Sequence, residues 1–203
     1  MKLSIEEEYR LFPLPIRTFA EEQVVREFDR DAAKQLFSDF RALIPDRLQQ
    51  LQRFVVFDPH CREFKLDRSR DSLLIVSRWL VAHCGCQRAG EKLDFSLDEA
   101  GWDELQRDGT RRRLCVDITE LCRSFLIDVA IYWGECVVDA NPSAKWKIAV
   151  GKTVRFKNMP VLNIPNQQYQ LAPWVNLTHW LLQVFQEGKS ADWPVAYLYD
   201  ELV

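Results

Sequence analysis

Asp128 and Glu135 stand seven residues apart in a run of helical periodicity, with Glu120 and Ser124 preceding them at steps of four. Carboxylates at that spacing share one helix face, and a pair of acids facing a cleft can act as general acid and base or as metal ligands. The same stripe is also the ordinary solvent-facing or partner-facing side of an amphipathic helix, and that is the reading favoured here. If the chain is an enzyme, Asp128, Glu135 and His179 are the groups to test.

The other chemistry-bearing residues are less organised. His60-Cys61 and His83-Cys84-Gly85-Cys86 offer ligand types that zinc accepts, but paired Cys-x-x-Cys spacing is missing. No metal is expected. A cysteine nucleophile would need one of only three histidines close by, and no cysteine stands in a protease signature. Gly151-Lys152-Thr153 has the end of a phosphate-binding loop, but Trp146 occupies the position of its first glycine, where an indole prevents close backbone approach. No dinucleotide fingerprint is present, and no cofactor is expected. The expectation is therefore a protein without a catalytic residue set.

These residues must be positioned by an element beginning near Ile118. Leu121, Cys122, Phe125, Leu126, Val129, Tyr132, Trp133, Cys136 and Val137 keep helical spacing for about five turns. Asn141-Pro142-Ser143 ends this helix. Strands are expected at Lys145–Val150 and at either Thr153–Phe156 or Pro160–Ile164, with Gly151-Lys152 as a hairpin turn. A last helix runs from Pro173 to about Gln186, stopped by Gly188. Upstream, the pattern predicts helices over 18–28 and 30–43, a break at Ile44-Pro45-Asp46, and a short helix carrying Leu48, Leu51 and Phe54. Asp71-Ser72 is expected to cap a mostly buried helix from Leu73 to Cys84. Residues 91–110 read as a loop-rich connection with a short helix near 97–105.

The fold class is thus α+β, mostly helical, with a small antiparallel sheet packed on a long buried helix. The chain of 203 residues suits a single domain. Its lobes would be a helical 1–90 and a helix-sheet-helix 111–203.

Composition narrows the partners. Twenty-seven basic and 30 acidic residues leave a net charge of −3, which argues against general nucleic-acid binding. Arg111-Arg112-Arg113 reads as a solvated loop. No apolar run approaches the ~20 residues that span a bilayer. Glu6-Glu7-Glu8 stands where a secretory leader would have its apolar core, so a cytoplasmic location is expected. The six cysteines then read as reduced, with Cys115, Cys122 and Cys136 as small buried hydrophobes. Seven tryptophans and twelve phenylalanines should mostly fill core, with Trp193 and Tyr197 in the tail the aromatics expected to be partly exposed and available to a partner.

Tyr132, Gly134-Glu135, Trp146 and Asn158-Met159-Pro160 form a pattern that resembles several uncharacterised bacterial families. In these a long apolar helix ends in an aromatic, Gly and Glu, then leads to a Trp-bearing strand and an Asn-x-Pro-like element. Some such small α+β proteins are immunity proteins that bind and neutralise a toxin delivered between bacteria. The resemblance covers about a third of the chain. It implies a binding protein whose partner is a toxin or other effector, with Glu120, Asp128 and Glu135 facing a basic surface and Trp193 and Tyr197 as anchors. An enzyme or a structural adaptor subunit remains the alternative.

Overall fold

The computed structural model describes residues 9–16, 19–58, 61–84, 86–88, 91–93, 117–150, 156–165, 171–187, 199–200 and 202–203. In chain order the elements are α1 (Phe19–Arg26), α2 (Arg30–Phe57), α3 (Arg70–His83), β1 (Cys86–Arg88), β2 (Glu91–Leu93), β3 (Asp117–Ile118), α4 (Glu120–Ala140), β4 (Lys145–Ile148), β5 (Pro160–Asn163) and α5 (Pro173–Glu187). The architecture is the mostly helical α+β fold read from the sequence.

The centre is α4. Thr119 caps it, its side chain accepting from the Cys122 N–H, which satisfies one of the orphan donors of the first turn. From Ser124 to Gly134 every residue is buried. A helix apolar on all sides must be covered on all sides. Three helices and the sheet do this: α2, α3 and α5 pack on it, and β4 brings Trp146 against Gly134. A Cβ on Gly134 would lie 2.2 Å from Trp146 Cζ2, so only glycine admits the indole there.

β4 and β5 pair antiparallel in the register Trp146↔Leu162 and Ile148↔Pro160. Pro160 opens its strand, where its missing N–H costs least. The second alternative for this strand is the observed one; Thr153–Arg155, the Gly151-Lys152 turn and Gly188 lie outside the described residues. A further sheet, in the order β2-β1-β3, was not expected. Its β2 takes up the start of the presumed loop-rich connection, and β1 and β3 flank it; the short helix proposed near 97–105 lies outside the described residues.

Two expectations are corrected. The first is the break at Ile44-Pro45-Asp46. Instead α2 runs unbroken for 28 residues with Pro45 inside it. Pro45 and Arg41 are both exposed, so the helix bond that the proline removes lies on the solvent side of α2. Meanwhile Phe40, Ile44, Arg47, Leu51 and Phe54 remain in phase on the buried side, and that continuous contact with α4 outweighs the local cost.

The second correction concerns cysteine. Cys122 is not a reduced hydrophobe; it is bonded to Cys84, the C-cap of α3, across a Cα–Cα distance of 5.0 Å. Cys136 is buried and free, and Cys61 is free and partly exposed. Cys115 lies outside the described residues. The ends of α3 and α4 are close because the two helices pack side by side, and a disulfide joining them is geometrically ready.

Because Pro45 costs a helix bond without contributing packing, Pro45→Ala should stabilise the fold by about 2 kcal/mol. Urea unfolding midpoints compared at constant slope will measure it; an unchanged or lowered midpoint would mean that the proline shapes α2 for its contact with α4.

Candidate functional site

Asp128 is not on a solvent-facing stripe. Its side chain is fully buried, and Ser124, one turn earlier, is buried too; of the four stripe residues only Glu120 is exposed. The side of α4 read as polar faces α2 and the N-terminal segment 9–16.

What makes this tolerable is Arg47 of α2. Its Nε donates to Asp128 Oδ1 at 2.8 Å and its Nη2 to Oδ2 at 2.7 Å, a two-pronged pairing that matches guanidinium to carboxylate. The Tyr9 hydroxyl donates to Oδ2 as well. Arg47 Nη1 turns to the Arg10 carbonyl at 2.8 Å, and Gln50 Nε2 donates to the same oxygen at 3.0 Å. The Phe12 N–H reaches Ser124 Oγ at 3.0 Å. The guanidinium also lies over the rings of Tyr9 and Phe12 at 5.5 and 5.4 Å. Residues 9–16 thus form a strap whose backbone is satisfied by helix side chains and whose Tyr9, Phe12 and Ile16 complete the core.

Burial pushes the Asp128 carboxyl up to about 6, against the lowering pull of Arg47 and the Tyr9 hydrogen bond. Burial, and then the neighbouring Asp128 charge, hold the Tyr9 hydroxyl well above its ordinary value. At neutral pH the assembly is a carboxylate, a guanidinium and a neutral phenol with no opening to water at the acid. It cannot receive a substrate proton.

Glu135 occupies the last turns of α4 and is nearly buried, its side chain 12% exposed. Its Oε1 accepts from Trp146 Nε1 at 2.8 Å. Arg41 Nη1 lies 3.5 Å from the same oxygen, and Arg68 Nη2 lies 3.7 Å from Oε2. Arg68 extends a second arm to Asp139 at 3.1 Å. Its backbone is in the left-handed region, φ 61°, and its N–H donates to the Tyr132 hydroxyl at 2.9 Å. A non-glycine residue held there carries strain that its surroundings must over-determine, and such residues gather at functional sites. Beside it Arg70 pairs with Asp200 at 2.9 Å. Three arginines and three acids therefore interleave on this face, and Glu135 belongs to a balanced ion-pair belt instead of an acidic patch.

The remaining sequence candidates among the described residues do not assemble, and His60 lies outside them. His179 is exposed on α5, whereas Asp128 is sealed in the core, so the two share no open cleft. His83 stacks on Trp79, with its Nδ1 2.9 Å from the Trp79 carbonyl and its Nε2 3.9 Å from Asp58. Burial and Asp58 raise the Cys61 thiol, the reverse of what activates a nucleophile. Cys84, as a disulfide sulfur, is no zinc ligand, and no group of three potential ligands occurs among the described residues. Trp146, Trp133, Trp174 and Trp180 are core. Trp193 and Tyr197 lie outside the described residues.

The residues that carried the resemblance all have scaffold roles. Gly134 admits the Trp146 ring and Glu135 binds its N–H. Asn158, with φ 67°, directs its amide to the Phe28 carbonyl at 2.8 Å and the Val25 carbonyl at 3.2 Å, closing the end of α1. Arg47 was missed by sequence reading, although a signal existed: it is a cation in the apolar stripe of α2. No family model, no curated protein and no solved structure matches the chain.

Removing one member of the buried pair leaves the other charge uncompensated. Asp128→Asn should cost about 3–5 kcal/mol, and Arg47→Met/Asp128→Leu together less than that single change; urea denaturation of both variants checks the ordering. The pH dependence has a definite sign. The native state keeps the Asp128 proton from about pH 4, where an unfolded carboxyl releases it, up to about 6. Over that window the native state binds more protons, so the Asp128 contribution to stability falls as pH rises and is level above it. The stability difference between wild type and Asp128→Asn should therefore shrink between pH 4 and 6. A difference that grows would show that Arg47 holds the carboxyl below its ordinary value.

Proposed function

We propose that this chain is a protein-binding module whose docking face is centred on Arg68 above Glu135. The observation that carries the reading is that Arg68 is half exposed, held in a left-handed backbone, and clamped between Glu135 and Asp139. A strained, pre-positioned arginine ringed by fixed charges suits recognition, because little side-chain freedom remains to be lost on binding. The carboxylates that an enzyme would use are committed elsewhere: Asp128 to Arg47, Glu135 to Trp146. The mixed signs on this face fit a partner with interleaved charges better than a uniformly basic one.

The resemblance to immunity families supports the more specific form of the proposal, in which the partner is a secreted toxin neutralised by direct binding in the cytoplasm. No helix among the described residues is long and apolar enough to cross a membrane. A disulfide is unusual in a reducing compartment, and the burial of both its sulfurs is what would let it persist there.

The test is affinity capture from the native cell with wild type and Arg68→Glu, both verified as folded by circular dichroism. One stoichiometric protein should co-purify with wild type, and the charge reversal should weaken its binding at least ~30-fold, the scale of losing a buried interfacial pair. A folded chain that captures nothing, or a partner indifferent to Arg68→Glu, would overturn the face proposed.

A further inference from the structure

We propose that Cys84–Cys122 is a lock set during folding: it closes the base of the chain between α3 and α4, and a dithiol reductant opens it only after that base has unfolded locally.

The geometry is a sequence of closures. Cys84 ends α3 and Cys122 lies in the first turn of α4. Two residues beyond Cys84 and four before Cys122, the backbones meet again, with Cys86 opposite Ile118 and Gln87 opposite Asp117. The disulfide thus stands between the helix pair and the β1–β3 pairing, tying 38 residues of sequence separation at their root. Fixing such a loop narrows the unfolded ensemble, which favours the closed form whenever the bond is present.

Access decides how the bond behaves. Cys84 and Cys122 are 2% and 1% exposed. Reduction needs a thiolate to approach one sulfur in line with the S–S bond. The incoming dithiol forms a mixed disulfide with one cysteine and expels the other as a thiol. Its second sulfur then closes a disulfide on the reductant, so two electrons and two protons pass to Cys84 and Cys122. In the closed fold that approach is blocked. Cys136 and Cys61, the free cysteines whose side chains are described, are poor substitutes: burial pushes the Cys136 thiol up to about 12 and also raises that of Cys61. Both are held as thiols, so neither serves readily as an exchange nucleophile.

The full-length chain, folded in air without reductant, is treated with 1 mM dithiothreitol under native conditions and in 8 M urea. Remaining thiols are alkylated and the products read by peptide mass spectrometry. A Cys84–Cys122 linked peptide is expected, disappearing at least about tenfold more slowly in the native state, as a reaction gated by local opening must. Trypsin supplies the second readout, at Arg88 and Lys92 in the β1–β2 pair beside the disulfide. In folded Cys84→Ala/Cys122→Ala, cleavage there should be several-fold faster while the helical signal persists. Six free thiols in the air-folded chain, a different pairing, or equal native and urea reduction rates would overturn the proposal, as would unchanged cleavage in the double variant.

Discussion

Placing a carboxylate in the middle of a helix that is apolar on every side is costly unless its charge and its lone pairs are met. Asp128 is met by Arg47 with two parallel hydrogen bonds and by the Tyr9 hydroxyl. This one arrangement joins three parts of the chain that are distant in sequence: the N-terminal strap, α2 and α4. It fixes the rotation of α2 about its axis, because only one phase presents Arg47 to Asp128. It also fixes the strap, whose carbonyls take the remaining guanidinium and amide donors. A hydrophobic triad would fill the same space, but without directional bonds tying Arg47 to one carboxylate.

The opposite end of α4 uses a different device. Gly134 gives up a side chain so that the Trp146 indole can lie on the helix backbone, and Glu135 accepts the indole N–H. By contrast, the indole N–H groups of Trp79, Trp133, Trp174 and Trp180 meet no acceptor among the described residues. The Trp146 seam is therefore polar and directional, as are the Tyr9 and Tyr132 hydroxyl contacts, where those four indoles are held by packing. Because Glu135 is shared with Arg41 and Arg68, the seam connects directly to the charged belt outside. Scaffold and candidate face meet at a single carboxylate.

Much of this fold was legible in the sequence, and the omissions have physical causes. The central helix, the Trp146 strand and the last helix follow from periodicity that packing leaves intact. Pro45 misled because a proline usually ends a helix; here its side faces water, and long-range contact with α4 carries the helix through. That break hid the phase linking Phe40, Ile44, Arg47, Leu51 and Phe54, and so hid a cation in an apolar stripe. Its complement, an acid flanked by Ile127 and Val129, was read as surface because i, i+4 spacing alone does not say which side a helix buries. Read together, a lone arginine in one apolar stripe and a lone aspartate in another are the signature of a buried pair. The disulfide was beyond reach, since six cysteines allow fifteen complete pairings, and partial pairings besides.

The strap has a consequence for the order in which the molecule is completed. Tyr9 and Asp128 are 119 residues apart. At about 5–20 residues per second, Tyr9 is added to the chain some ~6–24 s before its acceptor is made. Until Asp128 is made the strap has no native site, and Arg47 of α2, once made, has no counter-charge. A segment made well before α4 is thus among the last to be seated, and until α4 exists its Tyr9, Phe12 and Ile16 are apolar surface that the growing chain, or something else in the cell, must keep from pairing wrongly.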